Sequence, residues 1–249
     1  MNLGSPIAIG NTAKIYLHNE MIIKVFRDDL PLTEAQYEAD KQKIAYSYGL
    51  QVPKVLDVTL IAGRQAIIME YVPGKTIGDI LSQNKDQTAY YMNLSIDVQQ
   101  KIHQIIPDSL EPMREKIRRQ IESVNCLDAR HKTCLIQKME SITFETKLCH
   151  GDFHLFNLLL SNEKVTIIDW VDSSAGDIRA DVYRTYLLYS QFSKALADLY
   201  VHVYCEKSGI AKDDIFQWAP IIAGARLSET VSSENTKRLL GIINHYCSL

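Results

Sequence analysis

The chain is predicted to be an α+β protein, with a small antiparallel β-rich first part and a larger helical part that contains one β-hairpin. Three observations predict this. Short β-branched runs separated by turn residues fill the chain to about Glu70. Helical patterns dominate beyond Tyr71-Val72-Pro73-Gly74. Within that helical part, residues 149–170 form a single β-rich island.

Residues 13–17 and 21–26 are β-rich runs joined by His18-Asn19-Glu20, which reads as a hairpin. Residues 54–60 and 64–70 form a second pair around Ala62-Gly63. A helix lies between the pairs. Thr33 is its expected N-cap, with Gln36 completing a capping box. Leu32 and Tyr37 stand at hydrophobic-staple positions. Gly49 is a natural stop, and Pro53 prevents continuation. Later helical patterns cover residues 88–106, 110–124, 130–142, 181–207 and, with breaks, 219–245.

With 249 residues, 46% of them hydrophobic, the chain is long enough for a proper core, in one large domain or two lobes. Its 27 Lys+Arg against 30 Asp+Glu give a formal net charge of −3, which argues against nucleic acid as a partner. The five cysteines are odd in number and contain no Cys-x-x-Cys pair, so neither a disulfide framework nor a zinc site is expected. The start, Met-Asn-Leu-Gly-Ser-Pro, does not read as a signal peptide. No apolar run approaches the ~20 residues of a membrane helix. These features predict a cytoplasmic protein with no membrane partner and reduced thiols.

The chemistry concentrates in His150-Gly151-Asp152-Phe-His-Leu-Phe-Asn157 and the hairpin that follows, ending in Ile167-Ile168-Asp169-Trp170. If Leu160 pairs with Val165 across the turn, Asn157 lies opposite Ile168, and Asp169 is one step beyond. An amide oxygen and a carboxylate then converge at the open end of one hairpin. Oxygen ligands of this kind suit Mg²⁺, which keeps several water and phosphate ligands. Asp152, in the loop entering the hairpin, is placed to accept a proton from an attacking hydroxyl. Taken singly, these residues could equally be turn, cap and strand-end residues.

The pattern His150-Gly151-Asp152, Asn157 and Ile168-Asp169-Trp170 resembles the catalytic and metal-binding loops of the aminoglycoside phosphotransferase and choline kinase-like family, relatives of the protein kinases. The resemblance spans roughly residues 10–186. It implies a bilobal protein-kinase-like fold, with residues 1–71 as a nucleotide-binding lobe and 72–249 as a catalytic and substrate-binding lobe. It implies Asp152 as catalytic base, Asn157 and Asp169 as Mg²⁺ ligands, and His150 as a shaper of the loop. The expected co-substrate is ATP or GTP, and the expected acceptor a small-molecule hydroxyl. A nucleotide-binding pseudokinase without transfer activity is the alternative.

Lys24, inside the apolar run Met21-Ile-Ile-Lys-Val-Phe26, needs a partner or an anion. In kinase-like enzymes this lysine holds nucleotide phosphates and pairs with a helix glutamate. Glu38 is the favoured partner here, with Glu34 a rival, and Glu38 could instead pair with Lys41. The resemblance implies that Gly10 belongs to a phosphate-covering loop with one glycine rather than three, where Asn11 and Thr12 either donate hydrogen bonds or form a plain turn. The resemblance further implies that main-chain groups of Glu70 and Val72 meet the adenine, backed by Met69. Asp181 reads as a helix N-cap that also braces the catalytic loop. Asp172 and Asp177 are either contacts for a cationic substrate or plain loop residues. The charged run 111–122 reads as a solvated helix face with a Glu115–Arg119 pair.

Overall fold

The structure is a computed structural model, and it describes residues 3–229 and 234–247. The chain begins with strands β1 (Ala8–Ile9), β2 (Ala13–His18) and β3 (Met21–Phe26), helix α1 (Glu34–Ser47), and strands β4 (Val55–Ile61) and β5 (Arg64–Glu70). Strand β6 (Lys75–Thr76) and helices α2 (Ile77–Gln83), α3 (Thr88–His103), α4 (Met113–Ser123) and α5 (Ala129–Ser141) follow. Strands β7 (Lys147–Cys149), β8 (Leu158–Ser161), β9 (Lys164–Ile167) and β10 (Ser174–Gly176) come next. Helices α6 (Ile178–Phe192), α7 (Lys194–Ser208), α8 (Lys212–Phe216), α9 (Ala219–Arg226) and α10 (Thr236–Tyr246) complete the described elements. No helix among the described residues is long and apolar enough to cross a membrane.

The chain forms two compact units. One comprises the described residues up to Asn84 together with Leu155–Asp172. The other comprises Lys85–His154 and the described residues from Ser173 onward. The division differs from one at residues 71/72. Strand β6 pairs with β8, Lys75 opposite Leu160 and Thr76 opposite Leu159, so the hairpin carrying Asn157 and Asp169 belongs with the N-terminal residues. Gly74, at φ +145°, makes this approach possible, because a Cβ there would collide with the Leu160 carbonyl.

In the first unit five antiparallel strands lie in the order β1-β2-β3-β5-β4. The β2–β3, β4–β5 and β8–β9 hairpins turn on Asn19-Glu20, Ala62-Gly63 and Asn162-Glu163, and all six residues have positive φ. This is the turn geometry whose twist matches that of paired strands. One face of the sheet packs Ala13, Phe26, Ile67 and Met69 against Ala35 and Ala39 of α1. The buried side of α1 also carries Ala45 and the polar Glu38, Lys41 and Gln42. Gln42 donates to the Pro53 carbonyl at 2.7 Å and Lys41 to the Val171 carbonyl at 2.8 Å.

Several local expectations give way to tertiary contacts. Thr33 occupies the N-cap position of α1 but makes no side-chain cap, and Gln36 pairs with Asp40 instead. Leu32 is 90% exposed, so no staple forms. The pattern over 181–207 is two helices, divided at Ser193, whose hydroxyl caps α7. The N-cap of α6 is Asp177 rather than Asp181, which sits in the first turn. Arg119 pairs with Glu111 at 2.7 Å rather than with Glu115. Arg114 stacks on Phe144, 4.6 Å from its centroid, so this face is only partly solvated.

Candidate active site

The first unit holds a buried charge cluster. Lys24 on β3 is 8% exposed. Its Nζ lies 2.6 Å from Glu38 Oε1 and 3.3 Å from Asp169 Oδ1. Glu38 is therefore its partner rather than Glu34. Burial works against the Lys24 ammonium, but the charges of Asp169 and Glu38 and their hydrogen bonds outweigh it and hold its pKa above the ordinary lysine value. One cation facing two carboxylates leaves a negative surplus.

Asp169 comes from the end of the β8–β9 hairpin. Leu160 pairs with Val165 and Leu158 with Ile167. The Ile168 N–H donates to the Asn157 carbonyl at 3.0 Å, which carries the register one step further. Asn157 and Asp169 thus leave the same end of the hairpin. Asp169 has φ +64°, a left-handed conformation that Asp tolerates better than most residues. It is followed by Trp170, which is fully buried and donates from Nε1 to the Ile167 carbonyl at 3.3 Å. The buried ring fixes the chain on one side of Asp169, and the hairpin fixes it on the other.

The remaining N-terminal candidates are main-chain positions. Gly10 lies in the exposed β1–β2 turn and donates to the Ala13 carbonyl at 2.9 Å. Glu70 ends β5 and its N–H donates to the Lys54 carbonyl at 2.9 Å. Val72 is half-buried in the following irregular segment, and Met69 is buried.

The second unit holds the loop His150-Gly151-Asp152. His150 is fully buried between β7 and the loop, and its Nδ1 accepts from the Asp152 N–H at 3.3 Å. Gly151 has φ +83°, and its N–H donates to Asp181 Oδ1 at 2.7 Å. The other Asp181 oxygen meets His103 Nε2 at 2.9 Å and accepts from Gln99 Nε2 at 3.1 Å. Tyr204 and Tyr200 hold these two residues in turn, with Tyr204 Oη 2.7 Å from His103 Nδ1 and Tyr200 donating to Gln99 Oε1 at 2.6 Å. Thr185, one turn along α6, donates to the Phe153 carbonyl at 2.8 Å. The loop therefore hangs from α6 at two points four residues apart. Burial opposes ionisation of Asp181, but the His103 hydrogen bond and charge and the Gly151 N–H keep its pKa below the ordinary carboxylate value.

Asp152 itself is partly exposed, and its Oδ2 lies 3.4 Å from His154 Nε2. Burial opposes its charge, yet the His154 hydrogen bond and charge, with Arg184 and His150, hold the carboxyl well below the usual range. It is a carboxylate throughout the neutral pH range. Asp177 is 2% exposed, ion-paired to Arg179 at 2.6 Å and bonded by Trp218 Nε1 at 2.9 Å. These contacts, with its cap on α6, give it a structural place rather than a substrate-facing one. Gln99, His103 and Thr185 carried no sequence signal. His103 and Asp181 are remote in sequence, and only the packing of α3 against its neighbours joins them.

The model of the family described as the phosphotransferase enzyme family matches residues 4–219. The chain belongs to this family. Among solved structures, a thermostable mutant of aminoglycoside phosphotransferase APH(4)-Ia matches with TM-score 0.73 at 14% identity, over 98% of this chain and 93% of that one. A choline/ethanolamine kinase family protein from Mesorhizobium loti matches with TM-score 0.63 at 12% identity, over 98% and 86%. ADP-bound aminoglycoside phosphotransferase APH(2'')-Ib matches with TM-score 0.61 at 16% identity, over 97% and 90%. No curated protein matches by sequence. This phosphotransferase shares the kinase-like fold of those enzymes.

Proposed function

We propose that this phosphotransferase is a Mg²⁺-dependent small-molecule kinase that moves the γ-phosphoryl group of ATP or GTP to a substrate hydroxyl. The observation that carries this reading is the buried Lys24 held between Glu38 and Asp169. Burying this charge is favoured only with close partners. The cluster fixes Lys24 Nζ as a point charge for nucleotide phosphates. Its negative surplus suits a divalent cation.

The donor set fits Mg²⁺. Asn157 and Asp169 are oxygen donors at one end of a hairpin, and the Asp169 side chain is 39% exposed beside Lys24. Among the described residues no three His, Cys, Asp or Glu side chains gather as a self-sufficient metal site. A cation held by one carboxylate and one amide, with phosphate and water for the rest, needs no such cage. When bound, it would neutralise charge on the phosphates.

Asp152 accepts a hydrogen bond from the acceptor hydroxyl and orients its oxygen toward the γ-phosphorus. It takes the proton as the new O–P bond forms and the bond to the β–γ bridging oxygen breaks. His150 and Asp181 hold the backbone that presents Asp152. Glu70 and Val72 meet the base through their main chain, and Gly10 belongs to the loop over the phosphates. Two relatives support the nucleotide assignment: an APH(4)-Ia variant forms a ternary complex with AMP-PNP and hygromycin B, and the amicoumacin kinase hAmiN binds AMP-PNP with Ca²⁺.

The test is nucleotide turnover with and without Mg²⁺, against aminoglycosides, macrolides, choline, homoserine and amino sugars. The expected result is turnover with ATP or GTP that one acceptor stimulates and Asp152→Asn removes. Failure of both nucleotides to bind in the presence of Mg²⁺ would overturn the reading.

A further inference from the structure

The five cysteines are not equivalent. Cys126 is exposed, while burial raises the thiol pKa values of Cys149 and Cys205. Cys134 and Cys247 are different, because their sulfur atoms lie 2.6 Å apart. Cys134 is on α5, and Cys247 is the residue that ends α10. A second contact supports this seat one helical turn earlier on each element, where His131 Nε2 lies 3.2 Å from Asn244 Oδ1. Asp128 fixes His131 in turn, its Oδ1 2.8 Å from His131 Nδ1, while also capping α5.

The pair is reachable from one side. A surface groove lined by Ala129, Arg130, Thr133, Cys134 and Gln137 opens on Cys134. Cys247 is 3% exposed. The two sulfurs therefore have distinct places, Cys134 at the groove and Cys247 behind it. Arg130 and Lys138 stand one turn before and one turn after Cys134 on α5, and Lys138 acts on the Cys247 thiol. Neighbouring cations draw anionic reagents.

We propose that Cys134 and Cys247 are a thiol pair that small anionic disulfides, of the oxidised-glutathione class, convert reversibly to an intramolecular disulfide. The Cys134 thiolate attacks one sulfur of the reagent. The reagent's S–S bond breaks, and its first half leaves as a thiolate that takes a proton from solvent. Cys247, after losing its proton, attacks the Cys134 sulfur of the mixed disulfide and expels the second half as a thiol. Two protein thiols are oxidised and one reagent disulfide is reduced to two thiols. Burial and the hydrogen bond to Cys134 push the Cys247 thiol up to about 12. The product ties the end of α10 to α5, whereas in the structure all five cysteines are free thiols. Intracellular disulfides of this kind are transient and redox-responsive rather than structural.

The experiment uses the full chain. Reduced protein is incubated with oxidised glutathione, blocked with N-ethylmaleimide, digested without reduction and mapped by mass spectrometry. The expected product is one linked peptide pair containing Cys134 and Cys247, reversed by dithiothreitol. Oxidation should also raise Tm by roughly 5–10 °C, because the bond closes a long loop. In Cys247→Ser the glutathione should remain on Cys134 as a mixed disulfide. The proposal is overturned if all five wild-type thiols are alkylated after oxidant treatment. It is equally overturned if wild-type Cys134 accumulates a stable glutathione adduct, or if the link involves Cys126 or Cys205.

Discussion

Replacing Asp181 with alanine tests whether the loop 150–153, which carries the proposed base Asp152, hangs from α6. In the native protein this fully buried carboxylate faces the Gly151 N–H at 2.7 Å, His103 at 2.9 Å and Gln99 at 3.1 Å. Alanine leaves these groups buried without their acceptor. Each unsatisfied group costs about 1–3 kcal/mol, and partial relaxation brings the sum to ~3–5 kcal/mol. That is a large part of the ~5–15 kcal/mol by which a domain is stable. Asp181→Asn retains one acceptor oxygen and should lose only about 1–3 kcal/mol. Urea titrations at pH 7.5 would give both values from their midpoints and slopes. The pH dependence supplies a second check. The folded pKa of Asp181 lies below its unfolded value, so its stabilisation is full above roughly pH 4 and fades as pH falls through the depressed folded value. The gap between wild type and Asp181→Asn should therefore narrow in acid. Asp181→Ala within about 1 kcal/mol of wild type at pH 7.5 would refute the argument, since no buried donor set could lose its acceptor so cheaply.

Asp152→Asn should lower kcat by about 10²–10⁴ while Mg-nucleotide affinity, read by calorimetry, stays within a few-fold; wild-type turnover in this variant would remove Asp152 as the base. Lys24→Met should cost ~3–5 kcal/mol by stranding the buried Glu38 carboxylate. Adding Glu38→Met should recover most of that stability in urea titrations but none of the nucleotide binding; a double variant that binds Mg-nucleotide normally would exclude the cluster from the site. His154→Gln should move the acid limb of the kcat/KM profile to higher pH, because His154 is the foremost group lowering the Asp152 pKa; an unmoved limb would mean the limb reports another group. Chelation of Mg²⁺ by EDTA should abolish turnover and its re-addition restore it, measured as nucleotide consumption.

The sequence by itself determined strands β2–β5, β8 and β9, their turns and the register of the β8–β9 hairpin. These are short-range matters, in which β-branched runs, two-residue loops and the period of two leave few alternatives. The pairing of Leu160 with Val165, and with it the common exit of Asn157 and Asp169, follows from that arithmetic. The Lys24–Glu38 pair was legible because a lysine inside an apolar strand needs a partner or an anion, and the family resemblance, with its depth in the helix, favoured Glu38 over Glu34. Other features were decided only by tertiary structure. The polar buried face of α1 gives no hydrophobic periodicity, since its side chains are held by Lys24, Pro53 and Val171. The joining of the catalytic hairpin to the N-terminal unit depends on a two-residue strand too short to read and a glycine that lets the chains touch. The bracing of the 150–153 loop by Asp181, His103 and Gln99, and the Cys134–Cys247 contact, join residues remote in sequence. No local pattern encodes such pairs, because buried polar groups find their partners only when helices pack.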